Sequence, residues 1–167
     1  MKTVIIDSSS AILLFRCNII MLLLKYYKLL IPGAVFSELT VAGYDGSDVF
    51  IDLCSSGSIK VCRAEKHNAE KLSKSLHAGE REVISLFREG RGDFIIIDDG
   101  KGGAFCRDNN IPYINALLAV KILFFKQLIN DQEYCDAWSW LIENGRYSAK
   151  IIDWAKNADE QRLEFFL

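Results

Sequence analysis

"FIIIDDGKGG", residues 94–103, is an apolar run that stops in two adjacent aspartates and a loose glycine turn. Short β-branched runs of this kind read as buried strands. Asp98 and Asp99 therefore stand side by side at a strand end, where like charges repel and each carboxylate is partly desolvated. Solvent, a positive side chain or a metal ion has to compensate them.

The same grammar recurs along the chain. "TVIID", residues 3–7, is another strand; it ends in Asp7 and is followed by Ser8, Ser9 and Ser10, good N-caps for the helix begun by "AILLFRC". A second helix follows over residues 19–27. "KLLIP" is the next strand, closed by Pro32, and Pro32 with Gly33 opens "AVFSELT", a helix start that carries Glu38. "YDGSDVFIDLCSSGS" reads as a loop with a short helix, and "IKVCRA" as a strand. "NAEKLSKSLHAGEREVISLFREG" has helical spacing with a break at Ala78-Gly79; Val83, Ile84 and Phe87 form one apolar stripe after Glu80. "GGAFCRDNN" is expected to make a helical turn and "IPYIN" a last strand. From about Ala116 the chain reads as helix, in "LLAVKILFFKQLI", "EYCDAWSWLIENG" and "SAKIIDWAK".

Strands alternating with helices predict an α/β architecture, a parallel sheet with helices on both faces. No repeat, low-complexity tract or linker interrupts it. One domain over residues 1–167 is the expectation, with 116–167 its mainly helical C-terminal part.

Composition narrows the classes. Half of the 167 residues are apolar and a quarter charged, as in ordinary globular chains. A formal charge of -2 argues against a broad, sequence-independent grip on nucleic acid, though it leaves room for a basic rim around a cleft. Five scattered cysteines with no C-x-x-C pair read as reduced thiols, neither a disulfide framework nor a zinc site. His67 and His77 are too isolated for histidine-based metal binding and are assigned to packing or surface. In "AILLFRCNIIMLLL", Arg16 and Asn18 break the apolar run, and Ile19 to Leu24 falls far short of the roughly 20 residues of a membrane span. Asp7 also stands where a signal peptide needs apolar residues. A buried helix, no membrane association and a cytoplasmic location are expected.

In an open parallel sheet, ligands bind in the crevice outside the carboxyl ends of the strands. Asp7, Glu38, Glu80 and the Asp98-Asp99 pair come from four distant segments and can converge there. Such a gathering needs a divalent cation, and Mg²⁺ or Mn²⁺ takes one or two carboxylates and keeps waters for substrate phosphate. Each acid also has a plain role: Asp7 as a helix cap, Glu38 as a solvated helix residue, Glu80 or Glu82 at a favourable helix N-terminus, Asp99 in an Asp-Gly turn. Only the set points to chemistry. "GKGG" lacks the pattern of a phosphate loop and is expected to be a flexible turn, with Lys101 free to touch a phosphate. Trp138, Trp140 and Trp154 fall on helical patterns and are assigned to the core.

The segments "VIIDSSSAI", "IPGAVFSEL", "GEREVISLF", "IIIDDGKGGAF" and "NIPYINALLAVK" resemble, in order, the PIN-domain superfamily. The resemblance is to its prokaryotic branch called DUF3368, akin to VapC-type toxin ribonucleases. The tail "LIENGRYSAKII" resembles the C-terminal helices of that branch, so the likeness spans most of the chain. It implies a three-layer α/β/α sandwich around a parallel sheet and a Mg²⁺- or Mn²⁺-dependent endoribonuclease. By the same resemblance Asp7, Glu38, Glu80 and Asp99 are the acidic site residues. Asp7, Glu80 and Asp99 would then hold the metal, with Asp98 substituting or assisting, and Ser9 would be the small hydroxyl residue beside the first aspartate. Where the family often has an arginine soon after the second aspartate, this chain has "DDGKGGAFCRD", so basic character falls to Lys101 and Arg107 as substrate-binding groups. The resemblance also implies an RNA substrate, a homodimer and an antitoxin protein as partner. Two other readings compete: a PIN fold kept as a non-catalytic interaction protein, and a receiver-type or other Mg²⁺-dependent phosphate-handling domain. Receivers carry their acidic pair just after the first strand, whereas here the pair comes late.

Overall fold

The computed structural model describes residues 1–65 and 76–167. His67 and most of the helical reading over "NAEKLSKSL" lie outside these residues.

Among the described residues the β-branched runs form one five-stranded, all-parallel sheet. Its strands are β1 (Thr3–Ile6), β2 (Lys28–Pro32), β3 (Ile59–Cys62), β4 (Phe94–Ile96) and β5 (Tyr113–Ile114), in the spatial order β3-β2-β1-β4-β5. In the register, Val4 stands between Leu29 of β2 and Phe94 of β4. Val4, Ile5, Ile6 and the run Phe94 to Ile97 are all buried, because a central parallel strand is covered on both faces.

Ten helices occur among the described residues: α1 (Ser8–Arg16), α2 (Ile20–Tyr26), α3 (Gly33–Leu39), α4 (Ser47–Ser55), α5 (Ala78–Arg88), α6 (Gly100–Asp108), α7 (Ala116–Phe125), α8 (Asp131–Asn144), α9 (Ala149–Asn157) and α10 (Glu160–Leu163). Helices α3 and α5 pack on each other and against the sheet, α5 along β1, β2 and β4. Helix α7, buried from Ala116 to Leu123, is the hub on which α1, α2, α8, α9 and α10 assemble. Helices flank the central sheet as an α/β/α sandwich, the architecture expected from the alternation of strands and helices. Among the described residues no single helix is long and apolar enough to cross a membrane; α1 and α2, apolar and long enough only when taken together, bend by 110° at their junction.

Three local expectations are corrected. "GKGG" is not a flexible turn but the opening of α6, whose first backbone donors, Lys101 N and Gly102 N, are capped by the Asp99 carboxylate at 2.8 and 3.3 Å. Gly102 and Gly103 are buried there, so packing overrides the poor helix propensity of glycine. Trp154 is not in the core: it is 51 % exposed on α9, while Trp138 and Trp140 are partly buried against the core. The short α10 was not anticipated; Asp159 caps it by accepting from Arg162 N at 2.9 Å. The five cysteines are all free, and His77 is exposed at the N-cap of α5.

Candidate active site

From β1 the chain steps outward through β2 and β3, then returns to the other side of β1 to lay down β4 and β5. The strand order therefore reverses between β1 and β4, and a crevice opens outside their carboxyl ends. Asp7 directly follows β1, and Asp98 and Asp99 follow β4. The Asp7 amide donates to the Ile96 carbonyl at 3.1 Å, which holds the two strand ends together.

Asp7 is buried. Its Oδ1 accepts from the Ser10 amide at 2.8 Å and caps α1, while Oδ2 accepts from Ser9 Oγ at 2.8 Å. Burial pushes its carboxyl up to about 6; the charge of Asp98 adds to this and the Ser10 and Ser9 hydrogen bonds oppose it.

Glu80, in the first turn of α5, is also buried. Its Oε2 accepts from the His77 amide at 2.8 Å, whereas Oε1 is buried with no donor. Desolvation pushes Glu80 up to about 7, reinforced by its side-chain hydrogen bond to Asp99 and by the charges of Asp99 and Asp7. Asp99 is held below its usual value, first by that bond from Glu80 and then by the Lys101 and Gly102 amides. The two carboxyls are thus driven apart in proton affinity, Glu80 upward and Asp99 downward. Gly102 permits this closeness: a Cβ there would stand 2.3 Å from Ile97 Cδ1 and 3.4 Å from Glu80 Oε1.

Glu38 reaches the rim from α3. It is exposed, accepts a hydrogen bond from Ser8 Oγ, and lies over Gly79, where a Cβ would meet its two oxygens at 3.1 and 3.2 Å. It is thereby tied both to the serine after Asp7 and to the residue before Glu80. Glu82, the alternative to Glu80, is occupied elsewhere: its Oε2 accepts from the Ala34 amide at 3.0 Å in the first turn of α3.

Asp98 faces away from Asp99. Successive side chains of an extended segment point to opposite sides, and Asp98 turns into the C-terminal helices. Its two oxygens accept from the Ala116 amide at 3.2 and 3.0 Å, and Oδ1 also accepts from the Tyr147 hydroxyl. Burial raises its carboxyl and these bonds lower it. Ser10 Oγ is buried facing Asp7 and Asp98 and lowers both, without meeting either in good hydrogen-bonding geometry.

Of the basic residues, Lys101 is exposed in the first turn of α6, on the crevice rim. Arg107 is exposed in the last turn beside Asp108, about 9 Å further along the helix axis. The tertiary structure brings Asp7, Glu80 and Asp99 together, sets Glu38 and Lys101 at the rim, and leaves Arg107 apart. Ser9 spends its hydroxyl on Asp7. Tyr147, Gly79 and Gly102 were missed in the sequence; the glycine spacing around "AGE" and "GKGG" is the signal that announces close approach, while nothing local marks Tyr147.

A divalent cation fits the chemistry of this donor set. Among the described residues no three His, Cys, Asp or Glu side chains form a ready-made ligand group. Mg²⁺, however, needs only one or two carboxylates with waters completing its shell. Glu80 Oε1 is a buried acceptor lacking a donor, and neither ion pair among the described residues involves Asp7, Glu80, Asp98 or Asp99. A cation held by Glu80 and Asp99 would satisfy that oxygen and compensate the acidic crevice.

Comparison with known proteins gives one family: a profile described as "DUF3368: PIN domain" matches residues 3–152. No curated protein matches the chain.

Proposed function

Because this chain belongs to the DUF3368 family of PIN domains, and PIN domains are generally nucleases, we propose that it is a Mg²⁺- or Mn²⁺-dependent endoribonuclease. One observation carries the reading: two buried carboxyls, Asp7 and Glu80, with half-buried Asp99 beside them, stand at the strand-order switch point, and Glu80 Oε1 is buried with no donor. Clustered acids whose proton affinities are perturbed in a crevice mark functional sites more often than structural ones.

In this reading Glu80 and Asp99 hold the ion and Asp7 completes the charge around it, with Glu38 acting at the rim through Ser8 or water. When bound, the ion supplies an acidified water and neutralises charge on the phosphate. Asp7 stays oriented by Ser9 and Ser10, and Lys101 meets the phosphodiester at the open side. The crevice suits single-stranded or looped RNA, whose phosphates are accessible. A homodimer, an inhibiting antitoxin partner and a single domain over residues 1–167 belong to the same proposal. The alternative, a non-catalytic PIN fold, is favoured by the replacement of the family's arginine by the "GKGGAF" run, and it predicts no ion binding.

The test is to incubate the protein and Asp7→Asn with a mixed RNA pool in Mn²⁺, in Mg²⁺ and in EDTA. Cleavage that needs the ion and drops at least about 100-fold in Asp7→Asn is expected, since the carboxylate is lost while its oxygen can still cap α1. Full activity in that variant, or in EDTA, would sink the assignment.

A further inference from the structure

Asp98 and Asp99 are neighbours in sequence but belong to different layers, and the chain invests several groups in keeping Asp98 where it is. Both oxygens of Asp98 meet the Ala116 amide, the first donor of α7, and Oδ1 is shared with the Tyr147 hydroxyl. Tyr147 itself is delivered by a constrained turn. Arg146 is left-handed (φ 53°), and a Cβ on Gly145 would stand 2.2 Å from the Tyr147 ring and 2.6 Å from the Leu141 carbonyl. Only glycine lets the ring fold back over the end of α8. Immediately beyond Asp98, the Asp99 carboxylate caps α6 and meets Glu80.

We infer that Tyr147 and Asp98 form a positioning clamp: the C-terminal turn fixes the end of β4 from behind, and so fixes the direction in which Asp99 presents its carboxylate to Glu80 and the ion. The inference rests on the proposed function and deepens it, by assigning Asp98 to positioning and not to ion ligation. With Asp98 bonded on both oxygens, the peptide joining it to Asp99 cannot swing without breaking contacts to α7 and to Tyr147. Loss of the Tyr147 hydroxyl frees the strand end and loosens Asp99, while Glu80 and the Asp99 carboxylate itself are retained. Partners that orient metal ligands in this way typically affect ion affinity 10–100-fold.

The experiment is calorimetric titration of Mn²⁺ into the full chain and four variants, each checked for folding. Tyr147→Phe is expected to weaken Mn²⁺ binding about 10-fold. Asp98→Asn keeps the oxygen that Ala116 and Tyr147 share, and is expected to stay within about 3-fold of wild type, whereas Asp99→Asn loses more than about 10-fold. Lys121→Met loosens the same C-terminal layer without touching Asp98, and is expected to leave the affinity unchanged. Equal binding by wild type and Tyr147→Phe would overturn the clamp alone. A loss in Lys121→Met as large as in Tyr147→Phe would reduce it to general loosening, and a loss in Asp98→Asn equal to that in Asp99→Asn would make Asp98 a ligand. No Mn²⁺ binding by the wild type would overturn the proposed function and the clamp with it.

Discussion

At the scale of the residue, the adjacent aspartates resolve into two jobs. Asp99 faces Glu80 and carries low proton affinity, because Glu80 donates to it; Asp98 faces the C-terminal helices and carries raised proton affinity, because it is buried. Asp7 and Glu80, raised to about 6 and about 7, sit above their ordinary values of 3.8 and 4.5. For such acids the folded chain binds more protons than the unfolded chain, so their contribution is fully present below the unfolded values, near pH 4, and is lost as pH rises towards 7. Asp99 acts with the opposite sign: its contribution is present above the ordinary aspartate value and lost as pH falls below it. In EDTA, the protein is expected to lose on the order of 2 kcal/mol per raised group between pH 4 and pH 7.5. The double variant Asp7→Asn, Glu80→Gln flattens that slope. Denaturant melts of the two proteins across the pH range measure the difference, and equal slopes would show that these carboxyls are not perturbed.

At the scale of the element, the C-terminal helices are held by a buried lysine. Lys121, on the otherwise apolar α7, donates from Nζ to the Ala155 and Lys156 carbonyls at 2.9 and 2.6 Å. These are among the last acceptors of α9, where the Ala158 amide also reaches the Ala155 carbonyl at 3.4 Å, and the positive charge suits a helix C-terminus. Burial lowers the pKa of Lys121, as expected for an ammonium taken from water. Lys121→Met keeps the stem and deletes the donor. It is expected to cost about 2 kcal/mol through the two lost hydrogen bonds, which for a chain of this size is roughly 4–8 °C in melting temperature. A melting temperature within a degree of wild type would show that water serves the α9 end equally well.

At the scale of the whole molecule, ion binding and folding are linked, because the Asp7, Glu80 and Asp99 segments meet only in the folded state. A ligand at 100 times its dissociation constant stabilises by about 2.7 kcal/mol, so saturating Mn²⁺ is expected to raise the melting temperature by roughly 5–10 °C. The ion competes with protonation of Glu80, whose carboxyl burial raises to about 7, so the rise is expected to be larger at pH 8 than at pH 6. Thermal melts with Mn²⁺ and with EDTA at the two pH values test this, and a rise that is larger at pH 6 would contradict ion binding at Glu80.

What the sequence determined by itself was whatever local composition controls. β-branched runs made the strands, and the acids at strand ends pointed to the crevice because strand ends are where a parallel sheet opens; the serines after Asp7 have the residue type of caps but lie inside α1, which Asp7 itself caps. The PIN resemblance was legible in the order of those same motifs. Tertiary structure decided what depends on neighbours distant in sequence. "GKGG" became helix because Asp99 caps it and its small residues admit Ile97 and Glu80. Trp154 stayed exposed because α9 buries Ala155 and leaves the tryptophan outside that contact. Asp98 parted from Asp99 because an extended backbone alternates its side chains between faces, and only folding sets α7 and Tyr147, 49 residues away, on one of them.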